Sequence, residues 1–519
     1  MMLAQREIES GLAALGLQPG AIVMVHSSLS SLGPVHGGAN AVIDALIEVV
    51  GSGGTLLMPT HPARDGRTFD PDVIPSDMGV ISETFRQRPD VLRSRHPYHP
   101  VAGYGARAEG ILSDHEKSAV PDGPETPYGR LITLGGKVLH VGCDLDTMTL
   151  LHTVEAELDL PYLRELEMKY VAENGEVRAM TIRRCPGGHR GGVLKFDRLF
   201  RAEGAMAVGS IGPAVCRLID APRAVAIMRR EMSRDPGFAL DENPHCADCV
   251  GYREKIARSS AGRPVIRSGV PAASGETLTS MLADEEFTLS VPLWTVDAET
   301  EKALDLVSAA GISSVEVHTN HQVDIDDLCR RLGDRDLNVV VVRTPFASAE
   351  KLAEACGIAT GFNAACLHVR LPDGLKPAGL NGALERLSRA AEDGEVNVLV
   401  GNPVGVNPSD IAGELREVGS ARLNMAYDPA AVAGSGGSPF YRGLYKGPVR
   451  RSVRHVDFRD VVAASGDPAV PGEGNAELVE ILSNLRCRSF DGVFCLWPLP
   501  GASGFKDAVK GFRDISMRI

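Results

Sequence analysis

His152 and Glu155 stand three residues apart in LDTMTLLHTVEAE (145–157), just after the strand-like run GKVLHVG (136–142). Thr149 suits a helix start. On a helix the spacing puts both side chains on one face, where the carboxylate can orient and polarise the imidazole. A histidine held this way is a natural general base, although a surface histidine beside an acid has the same spacing. His26 ends the apolar run AIVMVH (21–26) and is followed by Ser27 and Ser28, then by SLGPVHGGAN and a helical stretch from about residue 40. Strand, Ser/Gly-rich turn and helix start suit a phosphate or pyrophosphate, because open backbone N–H groups and the helix dipole attract anions. A satisfied buried histidine with an ordinary turn after it fits the same residues. His96 and His99 in RSRHPYHP (93–100), and Tyr128 in the expected loop PETPYGRL (124–131), read singly as structural residues. Cys246 and Cys249 have CxxC spacing in PHCADCV (244–250), and CPGGH supplies Cys185 and His189. Four such ligands can hold a structural zinc, but neither half has the full spacing of a known finger, so zinc and an inert turn both stay open.

The elements that position these residues have α/β texture. Strand-like runs at 21–26, 54–60 and 136–142 alternate with helical stretches such as NAVIDALIEVV (40–50). The stretches RTFDPDVIPSDMG and SRHPYHPVAGYG between them are rich in Pro and Gly and read as long ordered loops, which are usually functional. Around residues 258–276 the chain turns rich in Ser, Gly, Pro and Ala, which marks a linker at 263–278 between a first domain at 1–262 and a second at 279–519. The second holds eight strand candidates, at 288–294, 313–319, 337–343, 364–370, 396–402, 421–428, 451–458 and 492–498, with helical segments between them. That is the arithmetic of a (β/α)8 TIM barrel.

With 54 Lys plus Arg against 67 Asp plus Glu, the formal charge of −13 argues against binding nucleic acid through the overall field. No apolar run approaches the ~20 residues of a membrane-spanning helix, and the charged N-terminus does not read as a signal peptide, so a cytoplasmic location with no membrane partner is expected. The ten cysteines form no regular framework and read as reduced thiols. An oligomer is compatible with the sequence.

Taken in order, VHSSLSSLG (25–33), GGANAVIDALIEVVGSGGTLLMPT (37–60), PSDMGVISETFR (75–86), RSRHPYHPVAGYG (93–105), TPYGRL (126–131) and GGKVLHVGCDLDTMTLLHTVE (135–155) resemble the aminoglycoside 3-N-acetyltransferase family over residues 5–255. HRGGVLKFDRLFRAEGAMAVGSIGPA (189–214) extends the likeness. The resemblance implies an α/β acyltransferase domain that takes acetyl from acetyl-CoA as co-substrate. His152 would be the general base and Glu155 its orienting acid, with His26 beside the thioester and Tyr128 as pocket tyrosine. Ser27, Ser28, Leu29, Gly33, Val35 and Gly37 would bind the donor. Direct transfer to a neutral amine needs no protein nucleophile; a covalent route would have Ser27 or Cys143 as candidates, neither with an evident local base.

Residues 280–515 resemble the sugar phosphate isomerase and epimerase superfamily, whose barrels hold a divalent metal with carboxylates and a histidine. Asp428 matches a ligand position, but the first Glu position reads Gly401 or Asn402, the His position reads Asp457 and the last Glu position reads Trp497. No metal and no isomerase activity are therefore expected, and Glu316, Asp428, His455, Asp457 and Asp460 are left either as a metal-free pocket or as remnants on a binding module. The function expected is acetyl-CoA-dependent N-acetylation of an aminoglycoside, amino sugar or small amine. The alternatives are a biosynthetic acyltransferase using another acyl-CoA or a carrier-bound donor on a natural-product amine, and a bifunctional acyltransferase and isomerase.

Overall fold

The structure, a computed structural model, describes residues 2–63, 65–186, 190–259, 287–297, 299–320, 324–445, 448–488, 490–500 and 503–518. The linker expected at 263–278 and His189 lie outside these residues. The first part is built on a seven-stranded sheet. Its centre is parallel, with Ile22–Ser27 between Thr55–Pro59 and Lys137–Val141. Both flanks are antiparallel: Val101–Gly105 and Leu92–Arg93 extend one side, Ala214–Asp220 and Met206–Ile211 the other. Val23, Val25, Leu56, Leu139 and Val141 are buried, as expected of parallel strands covered on both faces.

The helix Gly38–Val50 turns Val42, Ile43, Leu46 and Val50 into the core beside those strands. Gly37, with φ 81°, caps its start. At Gly142, φ is 63°, and a Cβ there would lie 2.3 Å from that of Ser31, so only glycine lets the strand end meet the serine turn. Ser31 Oγ donates to the Gly142 carbonyl at 2.8 Å. The Pro-rich loop is pinned by Arg93, which donates to Thr60 Oγ1 at 3.0 Å and to the carbonyls of Pro71 and Ile74 at 3.0 and 2.5 Å. A separate hairpin pairs Arg164–Val171 with Val177–Arg184.

The second part is a closed barrel of eight parallel strands, Thr288–Pro292, Ser314–His318, Asn338–Pro345, Cys366–Arg370, Asn397–Gly401, Leu423–Tyr427, Val453–Phe458 and Val493–Leu496. Each falls on a segment expected to be a strand. Their near-continuous Val/Leu runs are the signature of strands buried on both faces.

The two parts share a buried polar contact. Arg217, fully buried, donates to Asp144 at 3.0 Å and Asp197 at 3.2 Å. From the barrel side, Ser483 and Arg486 on the helix Leu478–Arg486 donate to the same Asp144 carboxylate at 3.0 and 3.3 Å. Val215 N–H donates to the Cys487 carbonyl at 3.1 Å, and Asn243 Nδ2 to the Gly474 carbonyl at 2.5 Å. Among the described residues no helix is long and apolar enough to cross a membrane.

Candidate active site

A cavity of about 320 Å³ opens at the C-terminal ends of the three parallel strands. This is where open α/β sheets bind ligands, because side chains and backbone from successive crossovers converge there. His26 and Ser27 end the first strand, Pro59 and His61 follow the second, and Cys143 and Asp146 follow the third.

The helix Leu150–Glu157 presents His152 to this cavity. His152 Nδ1 and Glu155 Oε2 are 2.6 Å apart, and the Tyr162 hydroxyl donates to the other Glu155 oxygen at 2.9 Å. Glu155 is fully buried, whereas the His152 side chain keeps 29% exposure, so one face of the imidazole remains open to a substrate. Burial disfavours the imidazolium, but the Glu155 carboxylate and a hydrogen bond with Cys185 outweigh it and carry the His152 pKa up to about 10. The Tyr162 hydroxyl thus holds the acid that holds the histidine, an arrangement that raises the proton affinity of the imidazole.

Three neighbouring histidines are held below the usual range. Burial pushes His26 well below the usual range, and His140, with ring centroid 4.9 Å away, adds to it. His140 itself falls to about 3 by burial and the nearby Arg217, and His115 to about 4 by burial. His99 stacks on His61 at 4.2 Å and lies 5.8 Å from His152, and its Nδ1 is 2.7 Å from the buried Asp122 carboxylate. Ser27 lines the cavity, and its buried Oγ has no hydrogen-bond partner among the described residues, leaving a donor available to a ligand oxygen. Burial lifts the Cys143 thiol to about 12, which makes it a poor nucleophile.

Several sequence expectations are relocated. Tyr128 is not in a loop: Pro127 at the first position, with its fixed φ, starts the helix Pro127–Thr133. Its fully buried ring does not line the cavity; the hydroxyl lies 3.0 Å from His61 Nε2 and also pairs with Thr149, so it braces two lining residues. Thr149 does precede the catalytic-type helix, but its side chain makes no cap hydrogen bond. Ser28, Leu29, Gly33, Val35 and Gly37 continue the turn from Ser27 towards the helix Gly38–Val50 and do not line the cavity. His61 and the His99–Asp122 pair were not singled out together by spacing, since they lie on separate loops; the position of His61 just past a central strand was the available signal.

Cys185 packs against His152 and Glu155, their ligand-type atoms within 4.8 Å of one another. Cys246 and Cys249 hydrogen-bond to each other, and among the described residues neither belongs to a group of three metal-type ligands.

At the barrel mouth a second cavity, of about 510 Å³, is lined by Trp294, Arg343, His368, Asp428, Asp457 and Trp497 among others. The Arg343 guanidinium donates to Glu316 and Asp457 and lies 3.4 Å from His455 Nε2. Gly401 provides space for the His368 imidazole, 2.8 Å from where a Cβ would stand. Asp428 is paired with Arg459. Glu316, His455 and Cys495 are close enough to be ligands, but Glu316 already accepts from Ser290 and Arg343 and contacts His455, and burial holds the Cys495 thiol protonated. A built-in guanidinium satisfies the carboxylates that a divalent ion would need, so the donor set does not fit a metal. Asp460 faces elsewhere, its carboxylate accepting backbone N–H bonds from Val461, Gly472, Gly474 and Ala476 at 2.8–3.0 Å.

The family model described as aminoglycoside 3-N-acetyltransferase matches residues 24–233. Aminoglycoside N(3)-acetyltransferase IV of Salmonella sp is 34% identical over 232 residues, 44% of this chain and 87% of that protein. Aminoglycoside N(3)-acetyltransferase IX of Micromonospora chalcea is 36% identical over 184 residues, 30% of this chain and 63% of that protein. The solved apoenzyme of aminoglycoside acetyltransferase AAC(3)-IVa aligns at 31% identity and TM-score 0.45, covering 49% of this chain and 98% of that one.

Proposed function

The chain belongs to the aminoglycoside 3-N-acetyltransferase family, and from that premise we propose that residues 1–262 carry out acetyl transfer from acetyl-CoA to an amine. Residues 263–278 are the linker in this reading, and 279–519 a TIM barrel without catalytic metal. The protein is an N-acetyltransferase with acetyl-CoA as its co-substrate. The observation that carries the mechanism is the chain Tyr162–Glu155–His152, with contacts of 2.9 and 2.6 Å, ending at the cavity.

His152 accepts the proton as the amine nitrogen attacks the thioester carbonyl, and Glu155 stabilises the imidazolium that forms. Negative charge develops on the carbonyl oxygen, and the Ser27 hydroxyl, buried and without a partner among the described residues, donates to it. His26 remains neutral beside it, which suits a hydrogen-bonding role but not proton storage. The thiolate of CoA leaves and is protonated, with His152 as the nearest acid. Ser28, Leu29, Gly33, Val35 and Gly37 follow Ser27 and form the bed for the pantetheine arm, leading to the start of the helix Gly38–Val50. The raised Cys143 thiol favours direct transfer over a covalent route through that residue.

The acceptor is an amine of an aminoglycoside, an amino sugar or a smaller molecule, with a biosynthetic amine as the rival. Work inside the cytoplasm fits both. His152→Ala tests the reading: thiol release from acetyl-CoA with an acceptor amine is expected to fall by about 10²–10⁴-fold while the circular dichroism spectrum stays native. Turnover retained within a few-fold would remove His152 from the role of base.

A further inference from the structure

The barrel does more than accompany the transferase cavity: Phe440, Tyr441 and Tyr445 line it together with His152. They sit on the π-helical turn Pro439–Tyr445, in the connection between two barrel strands. That turn is held firmly. The Tyr427 hydroxyl donates to the Pro439 carbonyl at 2.6 Å, and Glu477 accepts from Ser438 Oγ at 3.1 Å and Phe440 N–H at 2.7 Å. Gly443 admits the Tyr427 hydroxyl, which would lie 2.3 Å from a Cβ. Within the turn Phe440 and Tyr445 have ring centroids 5.5 Å apart, and Tyr441 stacks on Tyr445 at 6.2 Å. The adjoining helix Leu478–Arg486 is locked to the transferase through Asp144, so the rings have a fixed position relative to His152.

Resting on the acetyl-transfer reading, we propose that this turn is the acceptor wall of the transferase site. It selects a small primary amine, about one ring in size, that carries a flat or apolar flank. The donor bed Ser27–Gly37 lies wholly on the first domain, which leaves the barrel side of the cavity to the acceptor. Aromatic faces attract an ammonium ion and pack a flat flank, and Asp77 and Asp146 in the same lining add attraction for a cation. A cavity of about 320 Å³, at the low end of ligand pockets and shared with the thioester, suits one ring beside the acetyl group.

The test uses the full chain with acetyl-CoA and three probes: tyramine, methylamine and gentamicin. Tyr441, 36% exposed, tolerates truncation, so Tyr441→Ala is the first variant and Phe440→Ala, at a buried position, the second. Tyr441→Ala is expected to raise KM for tyramine by about tenfold, the size of one aromatic contact with its flat flank, and to leave KM for acetyl-CoA within about twofold. The preference for tyramine over methylamine falls by the same factor, and wild type turns over gentamicin more slowly than tyramine. Unchanged amine constants in both variants, a rise confined to acetyl-CoA, or gentamicin preferred over tyramine would each overturn the proposal. Amide hydrogen exchange of residues 439–445 separates its failure from that of acetyl transfer. Protection by tyramine without any thiol release would sink the transfer reading and keep the wall; thiol release without protection would sink the wall and keep the transfer.

Discussion

Replacing Glu155 by Gln keeps the size of the side chain and removes the charge that sets the basicity of His152. In the native protein burial opposes the imidazolium, while Glu155 at 2.6 Å and Cys185 favour it, and the outcome is a pKa of about 10. At about 1.36 kcal/mol for each tenfold change in proton affinity, the climb from 6.5 to about 10 represents about 5 kcal/mol of preference for the charged ring. Most of it belongs to Glu155, because it is the largest of the favourable causes. Neutral His152 is the reactive form, so kcat/KM of the wild type rises with pH towards a plateau near pH 10. In Glu155→Gln only Cys185 is left to oppose burial, so the rising limb moves to lower pH, and the plateau drops by about 10²-fold because the imidazolium formed in the transition state lacks its counter-charge. Thiol release is followed from about pH 6 to about pH 10 with an acceptor whose own ionisation lies below that range, which keeps acceptor protonation out of the profile. A limb near 6.5 in the wild type, or the same limb in both proteins, refutes the reasoning. The raised pKa also makes a stability contribution, complete below about pH 6.5 and lost as pH rises through about 10.

Ser27→Ala removes the free hydroxyl donor at the cavity; kcat is expected to fall by about 10²-fold with little change in KM for acetyl-CoA, measured by steady-state kinetics. Asp144→Asn strips the fully buried Arg217 of one of its two carboxylates and the barrel helix of its anchor, and is expected to cost about 3–5 kcal/mol in a denaturant melt. The Asp144 carboxyl, resisted by burial but held below its usual range by Arg217 and Arg486, gives stability that is present above about pH 3.8 and lost as pH falls through its lower native value. Chelator is expected to leave both turnover and melting temperature unchanged, because Arg343 already neutralises Glu316 and Asp457; loss of either on chelation, with recovery on adding zinc or manganese, contradicts the metal-free barrel.

Much of this arrangement was legible because it is local. His152 and Glu155 are three apart on one helix, so their spacing alone required the contact. The barrel strands announced themselves by apolar runs of the right length, each bounded by turn residues. What spacing could not provide were partners from distant segments. His61, His99 and Asp122 converge from separate loops, and Tyr162 reaches Glu155 from beyond the end of its helix. Tyr128 was expected in a loop because its neighbours are Pro and Gly, yet Pro127 at the first position starts a helix instead. Arg343 carries no signal in the spacing, because a cation built into the chain leaves no ligand pattern. Phe440, Tyr441 and Tyr445 reach the cavity from a segment far beyond His152 in the chain, which no local periodicity encodes.

The central claim, direct acetyl transfer to an amine, is tested most directly by mixing the protein with acetyl-CoA first alone and then with tyramine, following free thiol, N-acetylated amine and the intact mass of the protein together. The account predicts thiol release only when the amine is present, one N-acetylated product for each thiol, and no acetyl group on the protein at any time. A burst of thiol without amine, with acetyl found on Cys143, Cys185 or Ser27, would contradict it.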